Sequence, residues 1–217
     1  MRHGQSHVNL ADLTATHRDE PLTEKGREQA HLAAHYIAEQ LRPTRIYCST
    51  VARAAETAAI VGAACGIQPV PDDRLREIGT SYPDGRPVPE DELMPYVPDM
   101  WGTLRPYEPV TDGGESWMQF RSRVGSFVEH LIPARDRFGD AEVAAELEDE
   151  RALIVCHAGV IEAVFEYVFE KGPWSVVAVH TQHTGLSHLQ YRPLPHLPDW
   201  WLHSHNRVGH LTEDLVT

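Results

Sequence analysis

The chain has 217 residues, a formal net charge of −13 and 41% hydrophobic residues, which fits one α/β domain with a sizeable core and argues against nucleic acid or an anionic membrane as partner. The three cysteines, Cys48, Cys65 and Cys156, form neither an even count nor a Cys-x-x-Cys spacing, so they read as small buried residues of a reducing, cytoplasmic compartment. No apolar run is long enough to span a bilayer, and no signal peptide precedes the first motif.

That motif is Met1-Arg2-His3-Gly4-Gln5-Ser6. An imidazole nitrogen can attack phosphorus, and a guanidinium can hold phosphoryl oxygens two-pronged. A glycine beside them lets the backbone approach a ligand, so the run reads as a phosphate cradle with a nucleophile inside it. The next predicted element is a helix over 23–41, where Ala30, Ala34, Ile37 and Leu41 recur on one face, Thr23 suits the N-cap and Pro43 marks the far end. A short strand over 45–49 then opens a second helix over 51–64, stopped by Gly66, and 67–70 suits another strand. Arg53 falls in the first turn of the second helix, where the dipole favours anions.

Residues 83–109 hold seven of the chain's 16 prolines, with Tyr96, Trp101 and Tyr107 among them. Such density blocks long helices and central strands. The segment packs on the surface by its own aromatics or covers the pocket as a lid, and the lid is the reading preferred here. A third helix is predicted over 117–131, starting at Ser116 or Asp112. The acidic run 140–150 reads as a solvated amphipathic helix. Residues 152–156 form a buried strand that runs into a helix over 161–169 and places His157 at the strand's carboxyl end, where ligands gather in open α/β sheets. Strand-like runs follow at 175–179, 186–191 and 200–203. Strands alternating with helices indicate a three-layer α/β sandwich, a mainly parallel sheet with helices on both faces. The whole chain, 1–217, reads as a single domain with an insertion at about 80–112.

Three strand-to-helix junctions therefore offer Arg2 with His3, Arg53, and His157 to one anion. Taken singly, each has an ordinary reading: a charged terminus, a helix-surface arginine, a core histidine bonded to backbone. Their order and spacing carry more. The run 2–6 with Asn9, Asp19 to Thr23 with Gly26, Gln29 and Ala30, Ser49 with Arg53, Glu56, Thr57 and Ala58, Leu75-Arg76-Glu77, Gly113 to Ser116, Cys156 to Ile161, and His205 to Leu211 together resemble the histidine phosphatase superfamily, in its cofactor-dependent phosphoglycerate mutase-like branch.

The resemblance implies roles. His3 matches the phosphorylated nucleophile. Arg2, Arg53 and His157 match the residues that hold the phosphoryl group, with Asn9 contributing, and Glu77 matches the acid that protonates the leaving oxygen. Such chemistry needs in-line positioning and charge stabilisation, with no metal and no cofactor. One departure stands out: the family has an apolar strand before Arg-His-Gly, whereas only Met1 precedes Arg2 here. A truncated first strand is expected to leave a gap in the sheet and His3 on a fraying end, with the natural start upstream.

In resembling mutases a basic, proline-rich insertion clamps the substrate carboxylate. Residues 79–111 offer only Arg86 and Arg105 as cations against six acidic side chains. A phosphomonoester hydrolase acting on a small phosphorylated metabolite is therefore favoured over mutase-type phosphoryl transfer, with a non-catalytic phosphate-binding module as the alternative if the first strand is absent. A small phosphate ester is the expected partner, nucleic acid and membrane are not, and a homodimer is compatible with the chain. Among the 14 histidines no zinc spacing appears. His180, His183 and His188 flank the segment that, by the resemblance, approaches the pocket, and one of them is expected to reach substrate. Glu115 is expected to fix a helix start or the pocket wall.

Overall fold

Three parallel strands form the centre of the fold, as seen in a computed structural model that describes residues 1–10, 20–89, 92, 105–132, 150–169, 179–192 and 198–217. Strand β1 (Arg45–Cys48) lies between β2 (Val70–Pro71) and β3 (Ala152–Val155), and its pairing with β3 runs from Arg45↔Ala152 to Cys48↔Val155. Side chains alternate across a strand, so each strand feeds two layers. Ile46 and Cys48 join Val155 in a cluster with Ala33, Ile37, Ala58 and Val61. Tyr47 points the other way, into a cluster with Leu75, Phe120, Phe127, Cys156, Val160 and Phe165. The first layer is covered by helices α1 (Glu24–Tyr36) and α2 (Ala52–Cys65), the second by α3 (Trp117–Leu131) and α4 (Ala158–Val168). An antiparallel hairpin, β4 (Leu186–Tyr191) with β5 (Trp200–Arg207), completes the described strands.

The stretch before Gly4 is short but paired on both sides. Arg2 bridges Cys156 in parallel, the Cys156 N–H donates to the Met1 oxygen at 2.9 Å and the His3 N–H to the Cys156 oxygen at 2.9 Å. On the other side Arg2 N–H donates to Gly185 O and Thr184 N–H to His3 O, each at 3.3 Å. Met1 is itself buried in the layer beneath α1 and α2. Three residues thus link β3 to the segment entering β4, and His3, expected to be loosely held, is fixed through both its N–H and its C=O.

Predicted and observed elements differ in instructive ways. The helix predicted over 23–41 is α-helical to Tyr36 and then widens to a π-turn over Ile37–Leu41, ending on Arg42 in the left-handed region. Residue Pro43 stops it as expected. The strand predicted over 67–70 shrinks to Val70–Pro71, the proline sitting at the end of an edge strand. Helix α4 begins three residues before the predicted 161, because His157 with extended backbone already serves as its N-cap. Helix α3 occupies the predicted 117–131, and Ser116 caps it: its Oγ accepts from Gln119 N–H while Gln119 Oε1 accepts from Ser116 N–H. Strand β5 runs four residues past the predicted 203. The acidic helix over 140–150, the strand over 175–179 and most of the proline-rich segment lie outside the described residues. Among the described residues no helix is long and apolar enough to cross a membrane, and no three His, Cys, Asp or Glu side chains are grouped to hold a metal ion.

Candidate active site

The loop after His3 is held by two helices that the sequence places far from it. Gln5 O accepts from Thr23 N–H at 3.0 Å, and Thr23 Oγ1 caps α1 by accepting from Gly26 N–H at 3.0 Å. Gln29 Oε1 accepts from Gln5 N–H at 2.8 Å, and Thr57 Oγ1, which donates to Arg53 O, accepts from Gly4 N–H. Gly4 and Gly26 face each other so closely that a Cβ on either would overlap backbone of the other's loop. The glycines are there for close approach.

This frame brings His3, Arg53 and His157 together, and all three are buried: they are 2%, 5% and 0% exposed. His3 Nδ1 lies 2.6 Å from Gly4 O, and Arg53 Nε lies 3.0 Å from His3 Nε2. A carbonyl only accepts and a guanidinium N–H only donates, so the partners fix the tautomer. The proton is on Nδ1 and the lone pair on Nε2. His3 is thereby a neutral imidazole with its nucleophilic nitrogen turned toward a cation. Burial, then the charge of Arg53, pushes its pKa well below the ordinary histidine value.

The His157 ring packs edge-on to His3 at 5.1 Å between centroids. Its Nε2 is 2.8 Å from Ser49 Oγ, while Nδ1 is buried with no hydrogen-bond partner among the described residues. Burial and then Arg53 push its pKa well down too. Arg2 is half-buried and its Nη1 donates to Thr181 O at 2.6 Å. Asn9 is exposed, and its Oδ1 accepts from Ser6 N–H at 3.1 Å and Ser6 Oγ–H at 2.8 Å, which holds the turn over His7–Asn9.

Glu77 approaches from the turn after Asp73–Leu75. Its Oε2 accepts from Gly159 N–H, in the first turn of α4, at 3.2 Å, and its Oε1 from Ile78 N–H at 3.0 Å. Burial raises its pKa, opposed by these two N–H groups and by Arg53 and Arg2. A carboxyl that tends to keep its proton beside two arginines suits a general acid. Sequence reasoning missed what holds it there. Arg123 on α3 makes a two-pronged ion pair with the fully buried Glu115 and donates through Nη1 to the carbonyls of Arg74 and Arg76, each at 2.9 Å. The spacing carried a signal: Arg123 falls on the face of Phe120, Val124 and Phe127, where a charge needs a buried partner. Glu115 precedes the cap residue Ser116 and is taken up by its ion pair with Arg123.

The arrangement can do one thing well. It can bind a dianion with Arg2, Arg53 and the helix start behind it, attack it from His3 Nε2, and hand a proton to the departing oxygen from Glu77. Comparisons with known proteins agree in kind. Residues 1–196 match the histidine phosphatase superfamily (branch 1). A phosphoglycerate mutase-like protein of Arabidopsis thaliana is 29% identical over 168 residues, 76% of this chain and 68% of that protein. A probable phosphoglycerate mutase of Yersinia pestis is 40% identical over 95 residues, so that the match spans 44% of this chain and 43% of its relative. A mycobacterial glucosyl-3-phosphoglycerate phosphatase, solved with VO3, superposes with a TM-score of 0.66 at 25% identity, covering 94% of this chain and 96% of that one.

Proposed function

The chain belongs to the histidine phosphatase superfamily, and on that premise we propose that it hydrolyses small phosphomonoesters through a phosphohistidine formed at His3 Nε2. The carrying observation is the tautomer of His3, fixed by Gly4 O on one nitrogen and Arg53 Nε on the other. In the first step the Nε2 lone pair forms a bond to phosphorus as the bond to the ester oxygen breaks, and the Glu77 proton goes to that oxygen. In the second step Glu77, now a carboxylate, takes a proton from water as the water oxygen displaces His3 from phosphorus. Arg2, Arg53 and a donor from His157 offset charge on the equatorial oxygens in both steps. No step calls for a metal ion.

Hydrolysis is favoured over mutase-type transfer by the state of the two cations of residues 79–111. Arg86 is exposed and pairs with Asp84 at 2.6 Å, and Arg105 is exposed and pairs with Glu108 at 3.1 Å. Neither is held ready for a substrate carboxylate, so a second acidic group on the substrate finds little to retain it between half-reactions. A cytoplasmic site of action, a small-molecule phosphate ester as substrate and a homodimer remain parts of this proposal.

The test is phosphate release from an aryl phosphate without added metal, in the wild type and His3→Ala. The wild type is expected to turn over and to carry acid-labile, base-stable phosphate after quenching, and His3→Ala to show neither. Turnover retained in His3→Ala sinks the phosphohistidine route. An isomerised phosphoester in place of free phosphate, from a three-carbon acid phosphate, favours the mutase.

A further inference from the structure

Beside the described site lies a third imidazole, on a loop with unusual backbone. Thr184 is a β-branched residue in the left-handed region, with φ 55°, and it is fully buried. Such a conformation is strained for a β-branched residue and persists only where the surroundings over-determine it. Here they do. Thr181 O accepts from Arg2 Nη1, Asn206 Oδ1 accepts from Gln182 N–H, Thr184 N–H donates to His3 O, and Gly185 N–H donates to Gln182 O. Thr184 Oγ1 also meets His210 Nε2 at 3.0 Å.

The residue this loop presents is His183, 5% exposed, its ring 5.8 Å from the His3 ring. Its backbone N–H donates to Thr217 O at 2.8 Å, and Nδ1 lies 2.9 Å from both Thr217 O and Thr217 Oγ1. The Thr217 oxygen only accepts, so Nδ1 carries the proton. Nε2, across the ring from Thr217, is buried with no hydrogen-bond partner among the described residues. Buried polar atoms are nearly always satisfied, and an orphan at the end of a strained loop beside a nucleophile marks a ligand position.

We infer that His183 is a substrate-contacting residue whose Nε2 takes up a proton as a phosphate dianion enters and then donates it as a hydrogen bond to a phosphoryl oxygen. This rests on the phosphate-ester reading above and adds to it a residue and a proton. The charged groups around it explain why uptake waits for the ligand. Arg2 from the first residues, Arg53 from α2 and Lys25 from α1 act on the ring beside the neutral His3, and among the described residues the Thr217 oxygen opposes them. Burial first, then Arg2, pushes the His183 pKa down to about 3, so the ring is neutral in the free protein at neutral pH. A bound dianion supplies the missing counter-charge. In mildly acid solution a phosphomonoester, with a second pKa of about 6, brings the proton itself, and the uptake from solvent falls away.

Inorganic phosphate and orthovanadate serve as probes on the full chain. Calorimetric titration in two buffers of different ionisation enthalpy, at an alkaline pH where both probes are already dianions, counts protons taken up in the wild type, His183→Gln and His183→Ala. Gln offers a fixed N–H donor that does not titrate, and Ala offers none. His183→Gln is expected to take up about one proton fewer than the wild type and to keep most of the affinity. His183→Ala is expected to lose about tenfold to a hundredfold in affinity, the scale of a hydrogen bond to a charged group. Nitrogen-15 NMR of the unmutated protein reads the same event without relying on a variant's folding: His183 Nε2 moves from an unprotonated to a protonated shift as phosphate is added. Affinity within twofold of wild type in His183→Ala, or a shift that does not move, overturns the assignment while leaving the His3 chemistry standing. A wild type that binds neither probe overturns both.

Discussion

Gly159 shows how one missing methyl can serve chemistry and not stability. A Cβ there would overlap Glu77 Oε1, the far end of a flexible side chain, while the backbone N–H that Glu77 accepts belongs to the same residue. The fold has an easy response, to swing Glu77 aside, and Ala gains up to about 1 kcal/mol of helix propensity over Gly. Gly159→Ala is therefore expected to keep or slightly raise the melting temperature and to lower kcat about tenfold to a hundredfold on an alkyl phosphate, whose leaving oxygen needs the proton. An aryl phosphate, with a better leaving group, should lose less. Equal losses on both substrates, or none on either, would show that Glu77 is not the acid held by Gly159. Residues of this kind divide sharply in legibility. Arg53 and His157 can be read from sequence because each sits where a strand gives way to a helix, and His3 because it stands between an arginine and a glycine. His183 cannot be told from His180 or His188 by spacing, since what distinguishes it is an oxygen of Thr217, 34 residues away, that occupies Nδ1 and leaves Nε2 over.

At the scale of elements, the junction of α1 with the loop after His3 is where a helix holds the loop of the candidate site in place. Thr23, Gly26 and Gln29 lie on the first two turns of one helix, and each meets Gln5 or its neighbour. Gly26→Ala pits two magnitudes against each other. Helix propensity favours Ala by at most about 1 kcal/mol. The new Cβ, however, meets the Gln5 carbonyl, a backbone atom that cannot rotate away, and overpacking of that kind costs about 1–3 kcal/mol or more. The clash wins, and because Gln5 is two residues from His3, activity should fall with stability. Gly209→Ala is the contrast, since nothing lies within 4 Å of its Cβ position. If urea unfolding places both variants within 0.5 kcal/mol of wild type, about the usual scatter of surface substitutions, the close approach is not real. Helix α3 was legible to its ends because Ser116 with Gln119 and the apolar stripe agree. The π-turn over Ile37–Leu41 was not, because α and π turns share residue preferences and only the backbone hydrogen bonds tell them apart. The link from residues 1–3 to the neighbouring chain was equally hidden: its partners at Cys156 and Gly185 are non-local, and no local pattern spans such separations.

For the molecule as a whole, the concentration of neutral imidazoles under arginines makes stability depend on pH in a definite direction. His3 and His157 have pKa values well below the ordinary 6.5, and those of His183 and His210 fall to about 3 and about 4, burial being the first cause in each case. A folded pKa below the unfolded one means that the unfolded chain binds more protons between the two values. Stability is then complete above the unfolded value near 6.5 and is lost as pH falls toward the folded values, the His183 and His210 contributions levelling only near 3 and 4. Each such histidine contributes a slope of about 1.4 kcal/mol per pH unit, and the three closest to the site together about 4, against a total stability of about 5–15 kcal/mol for a domain. Glu77 and Glu115 act in the opposite sense, because burial raises their pKa values above 4.5 and the folded state binds the extra proton there. They soften the loss at the acid end of the window without reversing it, two groups against four. The urea midpoint is thus expected to fall steeply between about pH 7 and pH 5, without any change in the carboxylates exposed at the surface. Saturating phosphate should flatten the fall, since the bound anion stabilises the native state and lets the imidazoles beside it take their protons while folded. A midpoint that stays level over that range, with or without phosphate, would mean that the histidines around His3 take protons as readily in the folded protein as in the unfolded chain, and an imidazolium has no lone pair with which to attack phosphorus.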